Sequence, residues 1–504
     1  MEKIYIFESS LREGEQAAGC GFNPQNKLEI AQQLERLGVD IIEAGFPVSS
    51  PGELEAVKLV ASKIKKCSVA GLARAVKKDI DACWQALKKA KDPRIHTFIA
   101  TSDIHIKYKF GKGREEILRM AVDAVKYAKK YTSNVEFSPE DASRTDPEFL
   151  YRVVESVIEA GAVVVNIPDT VGYSLPTEWF NLIKSVKENV PNIHKAIISV
   201  HCHNDLGLAT ANSIAAIEAG ARQVECTING IGERAGNASL EEIVMAIHTR
   251  KKLLQKTTGV NIKEIYNTSR LVSRLTGIYV QPNKAIVGGN AFAHSAGIHV
   301  DGILKNRTTY EIMRPEDVGA KGHKIVLTAR SGRHALEDKL KKLGYKLKDK
   351  DFQKMYKAFL DLADKKREIF DEDLKTIVGQ EIFKIPETYS LEYVNVVTGN
   401  KTVPTATVKI KKQGKIAEET SSGDGPVDAV YKAIDAVTKT QAKLLDYSIR
   451  SVTGGKEALG EVTVRIKING KEFTGRSAST DIIEASAKAY LKAVNRACVK
   501  ESPQ

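Results

Sequence analysis

His201 and His203 stand one residue apart at the end of the apolar run Ala196–Val200. Side chains two positions apart on a strand point the same way, so both imidazoles project into one volume and can share a divalent cation. Glu13, in Leu11-Arg12-Glu13-Gly14-Glu15, would complete a facial set of two nitrogens and one oxygen. The carboxamide of Asn237, in Gly230-Ile231-Gly232-Glu233-Arg234-Ala235-Gly236-Asn237, would add a hard fourth ligand. That donor mixture suits manganese, zinc, iron or cobalt and leaves positions open for a substrate. Glu140 and Glu43 each follow an apolar strand and are candidate general acids or bases, because burial raises a carboxylate's pKa. The competing reading for both is a salt bridge at a rim, to Arg12 or Arg144. Arg12 beside a metal would neutralise an oxyanion.

Such groups meet only if the chain brings them together, and its periodicity supplies the means. Strand-like runs at 4–7, 41–44, 68–72, 95–100, 135–138, 163–167, 196–203 and 223–227 alternate with helical patterns. The helical patterns are at 26–37, 51–65, 78–89, 114–131, 147–160, 177–189, 208–219 and 240–252. Eight such units in about 250 residues are the count and size of a (β/α)8 TIM barrel, whose chemistry sits on the loops after the strands. Polar residues do collect there: Arg12 and Glu13 after the first strand, Glu43 after the second, Thr101–His105 after the fourth. Ser138 and Glu140 end the fifth, Asn166 and Thr170 the sixth. Ser138 and Asn166 are read from their positions as substrate-binding.

Of the 504 residues, 42% are hydrophobic and 28% charged, an ordinary globular composition. The net charge of +13 comes from lysines spread over helix faces among acids, which argues against nucleic-acid binding. No apolar run approaches the ~20 residues that span a bilayer, and no signal peptide is visible, so the expected setting is the cytoplasm, without a membrane partner. Six cysteines without a CxxC pair support neither a disulfide framework nor a cysteine zinc site.

Three parts are expected: a barrel over 1–270, helical linker and lid subdomains over 271–385, and a C-terminal α+β regulatory domain over 386–504. The stretch 288–318 is rich in turn residues and carries His294, His299 and Tyr310. Helical patterns follow at 333–343 and 352–370. In the last part, alternating strands at 406–414 and 462–470, each followed by a helix, align at a constant offset: Gly414 on Gly470, Ala429 on Ala485, Ala433 on Ala489. Such a repeat predicts two stacked sheet–helix units. The polar stretches 421–425 and 475–481 precede the helices, where backbone N–H groups can hold a carboxylate.

Taken in order, SLREGEQ, EAGFP, SPEDASRTD, NIPDTVGY, HCHNDLGLA and GIGERAGN resemble the family of α-isopropylmalate, homocitrate and citramalate synthases. The resemblance spans nearly the whole chain. It implies an acyltransferase that condenses acetyl-CoA with a 2-oxo acid in a Claisen-type reaction and then hydrolyses the thioester. It assigns Glu13, His201, His203 and, as a further ligand, Asn237 to the metal. Mn2+ is the first choice, with Zn2+, Co2+ or Mg2+ as alternatives and K+ as an activator. Arg12 would stabilise the alkoxide, Thr170 would hold the substrate carboxylate, and Glu140 belongs to the catalytic set. His299 would reach over the barrel of a partner subunit to help deprotonate the acetyl methyl group, assisted by Tyr310. The resemblance further implies a homodimer or homotetramer and feedback by leucine through the C-terminal domain.

Departures from the family pattern bear on the substrate. Isopropylmalate-forming members usually carry aspartate where this chain has Glu8 and Glu13, and glutamate at position 13 is the homocitrate-forming pattern. The favoured acceptor is 2-oxoisovalerate, with 2-oxoglutarate or pyruvate as alternatives. A second substrate carboxylate would demand a pocket cation beyond Arg12, and the sequence offers no clear one.

Overall fold

The computed structural model describes residues 1–294, 296–320, 324–325, 331–364, 369, 371–378, 388–451 and 460–498. Eight parallel strands close on themselves: β1 (Tyr5–Glu8), β2 (Ile41–Glu43), β3 (Ser68–Arg74), β4 (Pro93–Ala100), β5 (Val135–Glu140), β6 (Val164–Asp169), β7 (Ile197–Cys202) and β8 (Gln223–Cys226). β8 pairs back on β1, with Phe7 opposite Glu225. Helices α1 (Pro24–Leu37), α2 (Pro51–Lys63), α3 (Lys77–Leu87), α4 (Arg114–Ala128), α5 (Pro147–Ala160), α6 (Pro176–Asn189), α7 (Ala209–Ala219) and α8 (Leu240–Thr249) alternate with them.

Local chemistry sets their ends. In α1 the Asn23 and Asn26 side chains cap each other's backbone N–H, and Pro24 occupies the first turn, where its missing donor costs nothing. The helix stops at Gly38, whose φ of 84° is a left-handed conformation that glycine adopts without a Cβ clash. Ile30, Leu34 and Leu37 then recur on one face and are fully buried.

The barrel axis is not wholly apolar. Arg94 donates to Glu136 at 3.0 Å and to Gln223 at 2.8 Å, and Gln223 donates to Ser199 at 3.0 Å. At the mouth, Lys27 is fully buried and binds Glu15 and Glu53, each at 2.7 Å, and the Leu11 carbonyl at 3.0 Å. It ties the loop after β1 to helix α2.

The chain divides into two compact units: Met1–His294 with Gly302–Ile325, and Ser295–Asp301 with Val326–Gln504. The stretch 288–318 is not all turn, because Gly297–Lys305 forms a helix. In the second unit, helices at Arg333–Lys342 and Asp349–Ala363 match the expected helical patterns as far as residue 364. Residues 365–368 and 370, and the expected boundary near 385, lie outside the described residues.

The C-terminal repeat is fuller than its sequence pattern suggests, because each copy contributes three antiparallel strands rather than one. They are β9 (Ser390–Gly399), β10 (Thr402–Lys412) and β11 (Lys415–Ser422), then β12 (Lys443–Ser451), β13 (Gly460–Ile468) and β14 (Lys471–Ser479). Ala406, Val408 and Ile410 on one central strand, and Val462, Val464 and Ile466 on the other, are fully buried, the period-2 signature of a sheet with one covered face. Helices Pro426–Thr438 and Ile482–Ala497 pack together, with the Tyr431 and Tyr490 rings stacked at 4.1 Å. Asp481 already caps the second helix, accepting from the N–H groups of Ile483 and Glu484, so that N-terminus has spent donors expected to hold a carboxylate. Gly425, which begins the first helix, supplies no side-chain cap.

No helix among the described residues is long and apolar enough to cross a membrane. The six cysteines are free thiols.

Candidate metal centre at the barrel mouth

His201 lies on β7 and His203 just beyond it, where an isolated bridge pairs His203 with Asn237 from the loop after β8. The two Nε2 atoms converge to 3.2 Å, and Glu13 Oε1 lies 3.8 Å from His203 Nε2. One ligand atom from each of Glu13, His201 and His203 falls within 4.8 Å of the others, and all three residues are buried. Glu13 Oε1 and Asn237 Oδ1 are buried without hydrogen-bond partners. Asn237 Nδ2 donates to the Ile231 carbonyl at 3.2 Å, which leaves the amide oxygen as the free end. Gly232 is needed beside it, because a Cβ there would sit 2.1 Å from Asn237 Nδ2. Orphaned oxygens and converging imidazole nitrogens of this type are the donor set that a divalent cation takes, so the residues fit a metal.

Surrounding charges keep these donors in the right state. Burial, and then the neighbouring His201, push the His203 imidazole down to about 3, leaving its lone pair available. Burial works against the Glu13 carboxylate, but the neighbouring Arg12 guanidinium holds it below its ordinary value. His201 Nδ1 lies 2.7 Å from Oε2 of Glu225, a buried acid on β8. The two atoms are close without hydrogen-bond alignment, and an anion at that distance favours the tautomer with the proton on Nδ1, which leaves Nε2 for the metal position. Sequence reasoning missed Glu225, because one acid in the run Gln223-Val-Glu-Cys226 carries no motif; its inward register beside His201 is the only signal.

Arg12 bridges two acids, with Nη1 on Glu13 and Nε 2.6 Å from Glu43. Glu43 also accepts from Ser9 Oγ at 2.5 Å and faces His96 Nδ1 at 2.8 Å. Despite full burial, Arg12, His96 and Ser9 hold its carboxylate far below the usual range. A permanently ionised, fully engaged group is a fixed anion that aims Arg12, so the salt-bridge reading of Glu43 replaces the acid–base one. Burial opposes charge on His96, but Glu43 and the nearby Glu225 and Glu136 outweigh it and raise its pKa to about 9.

The remaining expected residues divide into two groups. Ser138, Asn166, Glu140 and Thr170 line one cleft of about 230 Å³ with Arg12, Glu13, His201 and His203. Ser138 Oγ lies 2.7 Å from His96 Nε2 and 2.9 Å from Asn166 Nδ2. Thr170 Oγ1 accepts from the Asp141 N–H at 2.9 Å, so its own proton is free to donate into the cleft. Glu140 pairs with neither Arg12 nor Arg144: Lys109 Nζ lies 2.8 Å from both its oxygens, while Arg144 is on Asp141 at 2.9 Å.

The lining does not include Tyr310, which is 44% exposed; His299 is exposed on the helix Gly297–Lys305, in the part of it that belongs to the second unit. His294 faces Glu311 at 3.2 Å, an ordinary structural pairing. The cleft does hold a second cation that the sequence hid. Arg234 lines it while bound to Asp205 at 2.8 Å and to the Thr170 carbonyl at 2.8 Å.

The HMGL-like family model matches residues 3–272, the stretch that forms the closed parallel barrel with Glu13, His201 and His203 at its mouth. Residues 286–367 match the homocitrate synthase post-HMGL domain-like model, and residues 368–498 match the LeuA allosteric (dimerisation) domain. A 2-isopropylmalate synthase of Carboxydothermus hydrogenoformans is 57% identical over 98% of this chain and 98% of its own. One from Ruminiclostridium cellulolyticum is 57% identical over 98% of this chain and 97% of its own, and one from Clostridium kluyveri is 56% identical over 98% and 96%. The chain belongs to the HMGL-like family and, within it, to the 2-isopropylmalate synthases.

Proposed function

We propose that the chain catalyses the condensation of acetyl-CoA with 2-oxoisovalerate, giving 2-isopropylmalate and CoA, rather than the sister reactions of 2-oxoglutarate or pyruvate. The observation that carries this reading is the convergence of Glu13, His201 and His203 at the barrel mouth, in a chain so similar to 2-isopropylmalate synthases. Arg234 is the cation a second substrate carboxylate would need, yet Asp205 and the Thr170 carbonyl already engage it, which disfavours 2-oxoglutarate.

In this reading Glu13, His201, His203 and Asn237 hold a divalent cation, Mn2+ foremost, with K+ as an activator. Bound there, the cation supplies a Lewis acid beside the ketone of the 2-oxo acid. The Thr170 hydroxyl donates to the substrate carboxylate, and Ser138 and Asn166 wall the pocket. Glu140, with His299 of a partner subunit and Tyr310, takes a proton from the acetyl methyl group, a weak acid that needs a placed base. The resulting carbon adds to the ketone carbon, and Arg12, aimed by Glu43, faces the alkoxide oxygen before it is protonated. Water then cleaves the thioester, releasing CoA as its thiol and leaving a second carboxylate.

The proposed division of labour is a catalytic barrel over 1–270, a linker over 271–385, and a C-terminal part over 386–504 that pairs subunits and binds leucine. The order of the three family models supports it: the first ends at 272, near the proposed 270, while the last begins at 368, ahead of the proposed 386. Thiol release from acetyl-CoA with 2-oxoisovalerate, 2-oxoglutarate or pyruvate, with and without Mn2+, tests the reaction. Release with 2-oxoisovalerate and metal is expected. Faster release with another acid overturns the substrate, and none with any acid overturns the synthase.

A further inference from the structure

We propose that Lys109 is a positioning residue for the reaction, fixing the carboxylate of Glu140 from outside the cleft. This rests on the reading above that Glu140 is catalytic. After β4 the chain makes one helical turn, Asp103–His105, and passes directly into a π-helical turn, Ile106–Phe110. A π turn admits an extra residue, and such turns occur frequently at functional sites. Here Ile106 is 5% exposed and Phe110 packs against the barrel core, so both ends of the turn are pinned.

Lys109 lies between those anchors, four residues after His105 and therefore one turn along the same side. The two basic side chains meet one carboxylate. Lys109 Nζ is 2.8 Å from each Glu140 oxygen, and His105 Nδ1, buried and without a hydrogen bond, is 3.7 Å from Oε1. The adjacent acid Asp141 has a cation of its own in Arg144, so Lys109 serves Glu140 alone.

Stability does not account for this pairing. Lys109 is 47% exposed, and ion pairs in water contribute little to folding. What a cation shared by both oxygens does achieve is to stop rotation of the carboxylate about its last bond, while one edge of Glu140 stays on the cleft that holds Glu13, His201 and His203. A base that must meet a methyl proton at hydrogen-bond range gains from that restraint, because misplacement by about 1 Å can cost on the order of a hundredfold in rate.

The test is a double-mutant cycle in steady-state kinetics on the full-length, metal-saturated enzyme: Lys109→Met, Lys109→Arg, Glu140→Gln and Lys109→Met/Glu140→Gln. Lys109→Met is expected to lower kcat by about tenfold or more, with KM for both substrates within about twofold. Lys109→Arg should restore most of the loss. In the Glu140→Gln background, Lys109→Met should change nothing further, which a merely structural lysine would not reproduce. An equal loss in both backgrounds overturns the proposal, as does a rise in KM for acetyl-CoA at unchanged kcat, which would make Lys109 a phosphate contact. Wild-type kcat in Lys109→Met with Glu140→Gln impaired overturns the positioning role alone. Wild-type kcat in Glu140→Gln overturns the role of Glu140, and this proposal with it.

Discussion

His201 Nδ1 and Glu225 Oε2 lie 2.7 Å apart inside the barrel, and the same imidazole turns its Nε2 toward His203 and Glu13. The pairing joins a strand of the core to the metal position, and Glu225 itself lines the cleft beside the two histidines. Outer carboxylates of this kind typically contribute about 10–100-fold in metal affinity. Glu225→Ala is therefore expected to weaken Mn2+ binding by that order in a calorimetric titration of metal-stripped protein. Glu225→Gln, which can still accept from Nδ1–H, should lose less. Equal affinity in all three proteins would remove Glu225 from the site.

The hydroxyl of Thr170 has one direction left for its proton, because its oxygen already accepts from Asp141. Thr170→Val removes that donor at nearly constant volume. A charge-assisted hydrogen bond contributes about 1.5–3 kcal/mol, so KM for the 2-oxo acid should rise by about 10–100-fold while Thr170→Ser stays near wild type. An unchanged KM would place the substrate carboxylate elsewhere.

Glu8 gives a pH dependence of stability whose sign follows from its surroundings. Burial pushes its carboxyl up from 4.5 to about 7, against the hydrogen bonds from Ser10 and the Ile228 N–H. The folded chain therefore holds a proton that the unfolded chain has released. That contribution is complete below pH 4.5, is lost as pH rises through about 7, and then stays constant. Relative to Glu8→Gln, wild type should lose about 3 kcal/mol between pH 4.5 and pH 8, at about 1.36 kcal/mol per pH unit. Denaturation of both proteins across that range checks it, and a difference that does not vary with pH would contradict it.

Lys27 is a fully buried ammonium between Glu15 and Glu53. Lys27→Met leaves two carboxylates without their cation, a change that costs about 3–5 kcal/mol when such a pair is broken. Urea denaturation should show that loss, and a loss under 1 kcal/mol would mean water replaces the lysine.

The barrel was legible because its strands are short, mostly apolar runs, as in Ile4-Tyr-Ile-Phe7 and Val163-Val-Val165, separated by helices with one apolar face. His201, His203 and Glu13 were legible because strand periodicity alone aims the first two at one point. Glu225 and Lys109 were not: each is a single charged residue whose partner lies far along the chain, and nothing local marks it. Arg234 stood in view inside GIGERAGN, but its place in the cleft follows from a loop conformation with φ of 56° at that residue, which its neighbours in sequence do not announce. The outer strands β9 and β12 escaped for a different reason. Leu391, Val394, Val396 and Tyr447 pack on the core, but Tyr393, Val397, Leu444 and Ile449 are exposed, so apolar residues fall on both faces and blur the alternation. For Glu43 the salt bridge to Arg12 weighed beside the acid–base reading prevails, because sequence does not show His96 and Ser9 closing around the same carboxylate.

The central claim is that one divalent cation, held by Glu13, His201 and His203, is required for condensation. Equilibrium titration of metal-stripped protein with Mn2+, followed in the same samples by thiol release with 2-oxoisovalerate, tests it most directly. One ion per chain is predicted, with activity returning in proportion to the metal bound, and His203→Ala should lose both. Full turnover in the stripped protein, or wild-type Mn2+ binding by His203→Ala, would contradict it.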